Sequence, residues 1–166
     1  MQIDIDIDDS RWAELGLEAL CEKATEAVCA ALGLEADLCE LSVLGCDDAR
    51  IKELNAEFRA KDKATNVLSW PAEERGAETE GDVPQVPEPD MFGTIALGDL
   101  ALAYETCIRE ATEQQKSAQD HVLHLIIHGL LHLLGYDHVR DADAVLMEAL
   151  EIRILEKQGI ANPYEF

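Results

Sequence analysis

The chain has 166 residues, 48% apolar and 29% charged, which suits one compact domain with its own core. Its 13 lysines and arginines face 35 aspartates and glutamates, a formal charge of −22. General electrostatic attraction to nucleic acid is therefore excluded, and any such contact needs a local cluster of cations.

Ile3, Ile5 and Ile7 alternate with aspartates over Gln2 to Asp8, the period of a half-buried strand. The acidic start MQIDIDIDDS has neither the basic opening nor the apolar middle of a secretion signal, and no apolar stretch is long enough to span a bilayer. A cytoplasmic protein with no membrane contact is the expectation. Trp12, Leu15, Ala19, Leu20, Ala24, Ala27, Val28, Ala31 and Leu32 then recur at helical spacing, and Gly33 supplies a stop, so one helix is predicted here. Leu38 to Leu44 reads as a second strand. Asp47 or Asp48 is placed to cap a second helix over Ile51 to Phe58, with Ile51, Leu54 and Phe58 inward.

Arg50, Lys52, Arg59, Lys61 and Lys63 crowd into fourteen residues and outnumber Glu53, Glu57 and Asp62. This is the local basic strip that the overall charge demands. Asn66 to Trp70 is short, β-prone and closed by Pro71, which predicts an edge strand. Residues 72–91 follow with seven acids, one arginine and Pro84, Pro87 and Pro89, the composition of a mobile acidic loop. Phe92 to Ala103 holds a fourth strand, and helical residues resume at Tyr104. Gln119 to Leu134 is apolar almost all round apart from its histidines, as in a buried helix. Asp141 to Lys157 is a last amphipathic helix, with Val145, Leu146, Ala149, Ile152 and Ile154 or Leu155 inward and Met147 packing. The five cysteines form no CxxC pair and sit in apolar-periodic segments, so they are expected to be reduced core thiols and not metal ligands.

The segment His128 to His138, HGLLHLLGYDH, offers three imidazoles to one ion. His128 and His132 are four apart and share a helix face; Gly135 ends the helix, and the turn through Tyr136 and Asp137 returns His138 to the same place. Three neutral imidazoles leave a fourth position open, as in catalytic zinc sites, so one Zn²⁺ per chain is expected. The spacing matches the HExxHxxGxxH pattern of metzincin peptidases except that Gly129 stands where the peptidase has its general-base glutamate, which opposes peptidase activity. His121 and His124 lie on earlier turns of the same helix and are too far along it to join the same ion. His124 is expected to pack or to donate a hydrogen bond behind the ligands, and Asp137 to orient a ligand ring unless it is an ordinary turn aspartate.

HGLLHLLGYDH resembles the signature of the YbeY family of bacterial rRNA maturation factors, metal-dependent endoribonucleases specific for single strands. LNAEFRAKDKATNVLSW (Leu54 to Trp70), LGD (Leu97 to Asp99) and MEALE (Met147 to Glu151) are similar to further family landmarks, so the likeness runs along nearly the whole chain. Ala64 stands where the family usually has proline, and Trp70 where it usually has phenylalanine. The resemblance implies a single domain over 1–166 with a metal helix at its centre, an α+β fold of one small mixed sheet covered by helices, and RNA phosphodiester hydrolysis in rRNA maturation and ribosome quality control. It places the family's functional arginine at Arg59, where a planar guanidinium suits a phosphate, with Lys61 and Lys63 following the RNA backbone. It also implies ribosomal RNA and the small ribosomal subunit as partners, with ribosomal proteins or assembly GTPases beside them. Two other readings stay open: a non-catalytic assembly factor with a structural metal, and a metallohydrolase of peptide or amide bonds.

Overall fold

A computed structural model describes residues 1–164. In chain order the elements are β1 (Gln2–Ile7), α1 (Arg11–Leu15), α2 (Leu17–Leu32), a 3₁₀ turn (Ala36–Leu38), β2 (Cys39–Cys46), α3 (Asp48–Arg59), β3 (Val67–Pro71), β4 (Ile95–Ala103), α4 (Tyr104–Glu113), α5 (Ala118–Leu133) and α6 (Asp141–Lys157). The fold is α+β. Its four strands form one mixed sheet in the order β1-β2-β4-β3, with β1, β2 and β4 parallel and β3 antiparallel at the edge. No helix among the described residues is long and apolar enough to cross a membrane.

Alternation along β4 divides the core. Leu100 and Leu102 join a large cluster with α2, α5 and α6, while Ala101 and Ala103 join Ile51, Leu54 and Leu68 under α3 on the other face. Helix α5 is buried because it packs against β3, β4, α2, α4 and α6 at once, which explains why Val122, Leu123, Ile126, Ile127 and Leu130 are all inaccessible. At Gly129 it lies so close to the sheet that a Cβ would stand 2.8 Å from Leu100 Cδ2.

Several expectations are corrected. The first helix is two helices, broken at Gly16 (φ 87°), because Trp12 turns inward to donate from Nε1 to the Cys46 carbonyl at 2.8 Å. The inward face of α2 consequently carries Leu17 and Cys21, and Ala19 is exposed. Phe58 is 59% exposed and lies edge-on to Trp70 at 5.8 Å between ring centres. On α6, Val145 is 68% exposed and Ala149 is exposed too; Met147, Leu150, Glu151, Ile154 and Leu155 form the buried face. Asp47 is the N-cap of α3, its carboxylate accepting from the Arg50 N–H at 2.8 Å.

The acidic loop is not loose along its whole length. Arg75 donates to the carbonyls of Ala96, Leu97 and Leu133, Arg140 donates to those of Ala77 and Glu78, and the Gly81 N–H donates to Asp143. The five cysteines are free and buried. Burial pushes Cys21 up to about 12, so the thiol stays protonated and inert.

Candidate metal centre

Helix α5 ends in a turn that determines where the histidines point. Gly135 has φ 99°; its N–H donates to the His132 carbonyl and that of Tyr136 to the Leu131 carbonyl, so the last carbonyls are satisfied by a left-handed cap. A Cβ on Gly135 would lie 2.5 Å from the Arg75 carbonyl oxygen, which reserves the position for glycine on a second count. Beyond it, the Asp137 carboxylate accepts from the backbone N–H of His138 at 2.7 Å. Asp137 therefore holds the backbone of the turn; the ring-orienting role expected for it is not the contact it makes.

The turn brings His128, His132 and His138 together, with one nitrogen from each within 4.8 Å of the others. His128 Nε2 and His132 Nε2 face each other at 3.1 Å. Two nitrogens on one tetrahedral zinc at ~2.0–2.1 Å are about 3.3–3.4 Å apart, so the spacing fits a shared ion. The far sides of both rings are engaged: His132 Nδ1 lies 3.0 Å from the Tyr136 carbonyl oxygen, and His128 Nδ1 lies 3.1 Å from Glu151 Oε1. Both partners are acceptors. Each ring must therefore carry its proton on Nδ1, leaving the Nε2 lone pairs directed at the common point. Burial, with the neighbouring His128 and His138 rings adding to it, lowers His132 to about 4, so it is neutral at pH 7.

A second group, His124, His128 and Glu151, also brings ligand atoms within 4.8 Å. It is already hydrogen-bonded. Glu151 Oε1 accepts from His124 Nε2 at 2.7 Å as well as from His128, and Oε2 accepts from the Tyr164 hydroxyl at 2.7 Å. Burial alone would raise this carboxyl, but the bonds from His124, His128 and Tyr164 outweigh it and hold Glu151 well below the usual carboxylate range. His121 pairs with Glu110 at 3.1 Å, away from the trio.

The three histidines open into a cleft of about 1460 Å³. Arg59, Lys61, Arg75, Lys116 and Arg140 are among its lining residues, and so are Glu74, Asp82, Glu110, Glu113 and Asp143. The Arg59 guanidinium donates from Nη2 to the Ser69 carbonyl at 2.6 Å, which ties the end of α3 to β3 and leaves its other N–H groups unused by that bond. Lys63 is exposed on the same loop but outside the lining. Two residues here escape a reading of the sequence. Asn55, 2% exposed, braces the basic loop by donating to the Lys63 carbonyl from its side chain and accepting, through its backbone carbonyl, from the Lys61 N–H. Glu151 looks from its charge like a surface residue; the signal is its place at helical spacing between Met147 and Ile154.

Residues 2–159 match a family model described as Endoribonuclease YbeY. A Ruegeria pomeroyi protein of that name is 57% identical over 164 residues, covering 99% of this chain and 98% of its own. Another, from Ruegeria sp. strain TM1040, is 55% identical over 164 residues, with 99% and 96% covered. The solution structure of TM1509 from Thermotoga maritima is 25% identical and matches with a TM-score of 0.58 over 99% of this chain and 100% of that one.

Proposed function

Since this chain belongs to the YbeY endoribonuclease family, we propose that it is a zinc-dependent endoribonuclease that cuts single-stranded regions of ribosomal RNA during rRNA maturation and ribosome quality control in the cytoplasm. The observation that carries the metal part is the facing pair of His128 and His132 Nε2 atoms, 3.1 Å apart with both Nδ1 atoms turned to acceptors. His128, His132 and His138 would hold one ion. When bound, it supplies Lewis acidity, to a phosphoryl oxygen or to lower the pKa of water toward ~7.

The chain's own residues supply the rest. Arg59 neutralises charge developing on the scissile phosphate, a task for which a planar guanidinium anchored at one edge is suited. Lys61 draws the backbone of the strand along the cleft, and Lys63 adds positive potential at its approach. The proposed occupant of the cleft is an unpaired strand, and the partners proposed are the RNA of the small ribosomal subunit with ribosomal proteins or assembly GTPases beside it.

Peptide hydrolysis is opposed by the packing at Gly129. A glutamate there would meet Leu100 on the sheet side of α5. A non-catalytic assembly factor with a structural metal is the second reading, favoured by the charge of −22. Incubating the zinc-loaded protein with unstructured RNA, structured RNA and casein separates the three. Cleavage of the unstructured RNA alone is expected; casein hydrolysis contradicts the assignment, and inertness toward all three supports the assembly factor.

A further inference from the structure

Glu151 is a carboxylate with 0% exposure, set in the buried stripe of α6, and nothing in the cleavage step described above uses it. Burying a charge is costly unless its lone pairs find donors. Here the donors are His128 Nδ1 at 3.1 Å, His124 Nε2 at 2.7 Å and the Tyr164 hydroxyl at 2.7 Å. Of these three only His128 belongs to the metal trio. Its other nitrogen is the one that faces His132 Nε2.

From this geometry we infer that Glu151 is a positioning residue for the metal centre: it fixes the Nδ1–H tautomer and the ring orientation of His128 and makes its Nε2 a stronger donor to the ion. The inference rests on the reading of His128, His132 and His138 as zinc ligands. His124 and Tyr164 have a supporting part. They occupy further acceptor sites of Glu151 and keep its carboxylate aimed at His128. His124 Nδ1 is buried without a partner among the described residues, and the ring's proton sits on Nε2, where the Glu151 carboxylate accepts it.

Removing the acceptor breaks the pattern. Glu151→Leu keeps most of the bulk and offers nothing to the three donors, whereas Glu151→Gln can keep its oxygen on His128 and His124 and turn its NH₂ to the Tyr164 hydroxyl, which can accept. With no acceptor at Nδ1, nothing holds the His128 proton away from Nε2, where the ion needs a lone pair. Loss of such a partner lowers metal affinity by about 10–100-fold.

The test measures zinc affinity by competition with a chromophoric chelator, and the ring-nitrogen NMR shifts of the zinc-free protein. The parent should bind one zinc per chain and show His128 protonated on Nδ1. Glu151→Leu should bind zinc about 10–100-fold more weakly and release the His128 proton from Nδ1, whereas Glu151→Gln and Tyr164→Phe, which can leave both histidine bonds in place, should change affinity only a few-fold. Glu151→Leu binding zinc within twofold of the parent overturns the inference. So does a parent His128 protonated on Nε2, a result that needs no variant to fold. Two zinc ions per parent chain, falling to one in Glu151→Leu, would overturn it by making Glu151 a ligand instead. A parent that binds no zinc overturns the metal-centre reading itself.

Discussion

The two walls of the cleft are built differently. The histidine wall is the end of a helix packed on five other elements, with Glu151 and the Tyr136 carbonyl holding the rings from behind. On the basic side, Arg59 and Lys61 line the cleft from the end of α3 and the loop beyond it, with Lys63 exposed on the same loop outside the lining; the Arg59 side chain is held by one bond to Ser69, and the loop backbone by Asn55. Metal ligation tolerates errors of only tenths of an ångström and needs that rigidity. Attraction of a phosphate backbone acts over several ångströms and does not. Substitutions on the first wall should thus change metal content, and those on the second should change RNA handling with the metal in place.

The sharpest contrast is between two histidines of α5 that lie two turns apart. His132→Ala should abolish tight zinc binding, because two imidazoles rarely hold the ion alone, and metal analysis of the purified variant checks it. His124→Ala, which removes a donor to Glu151 and no ligand, should keep metal content near one per chain. Equal loss in both would show that the ion is held by a different set of ligands.

Arg59→Ala comes next. Removing a charged group aimed at the transition state costs roughly 10²–10³ in rate, so cleavage of unstructured RNA should fall by that factor with zinc content unchanged and the fold retained, the lost bond to Ser69 costing a little stability. Wild-type cleavage by this variant would remove Arg59 from the chemistry. Gly135→Ala should act on the histidine side. A left-handed alanine costs about 1–2 kcal/mol, and the clash with the Arg75 carbonyl adds to it; lower stability in urea and weaker zinc binding should appear together. If only stability falls, the turn does not set the ligand geometry. The smallest effects belong to the lysines. Each phosphate left without its cation should reduce the slope of log affinity against log salt by about 0.7, with Lys61→Ala closer to that value than Lys63→Ala because only Lys61 lines the cleft.

The histidine wall is readable in the sequence because it is nearly contiguous: His128, His132, Gly135 and His138 sit within eleven residues, and helical periodicity with a glycine stop determines their relation. The bounds of α6 and the edge position of β3 follow equally from local pattern. Where local pattern misleads, the deciding partner is distant in sequence. Gly16 breaks the first helix because Trp12 seeks a carbonyl on β2. Periodicity turns Val145 inward only if Glu151 faces solvent, whereas three donors from α5 and the chain beyond α6 make the burial of Glu151 tolerable. The spacing of Ile51, Leu54 and Phe58 points all three into the core, yet the core under α3 ends at Leu54 and Phe58 meets Trp70 at the surface.

Both walls must act on one strand for the cleft to be a ribonuclease site, and a titration of cleavage against metal occupancy examines that. Zinc-free protein is loaded stepwise, and the rate of cutting an unstructured RNA is recorded with bound zinc measured in the same samples. The rate should rise in proportion to occupancy and level off at one zinc per chain, returning to baseline with chelator. No cutting at full occupancy, or cutting that is indifferent to occupancy, would contradict a metal-dependent endoribonuclease, and the first of these would leave the histidines as a structural centre.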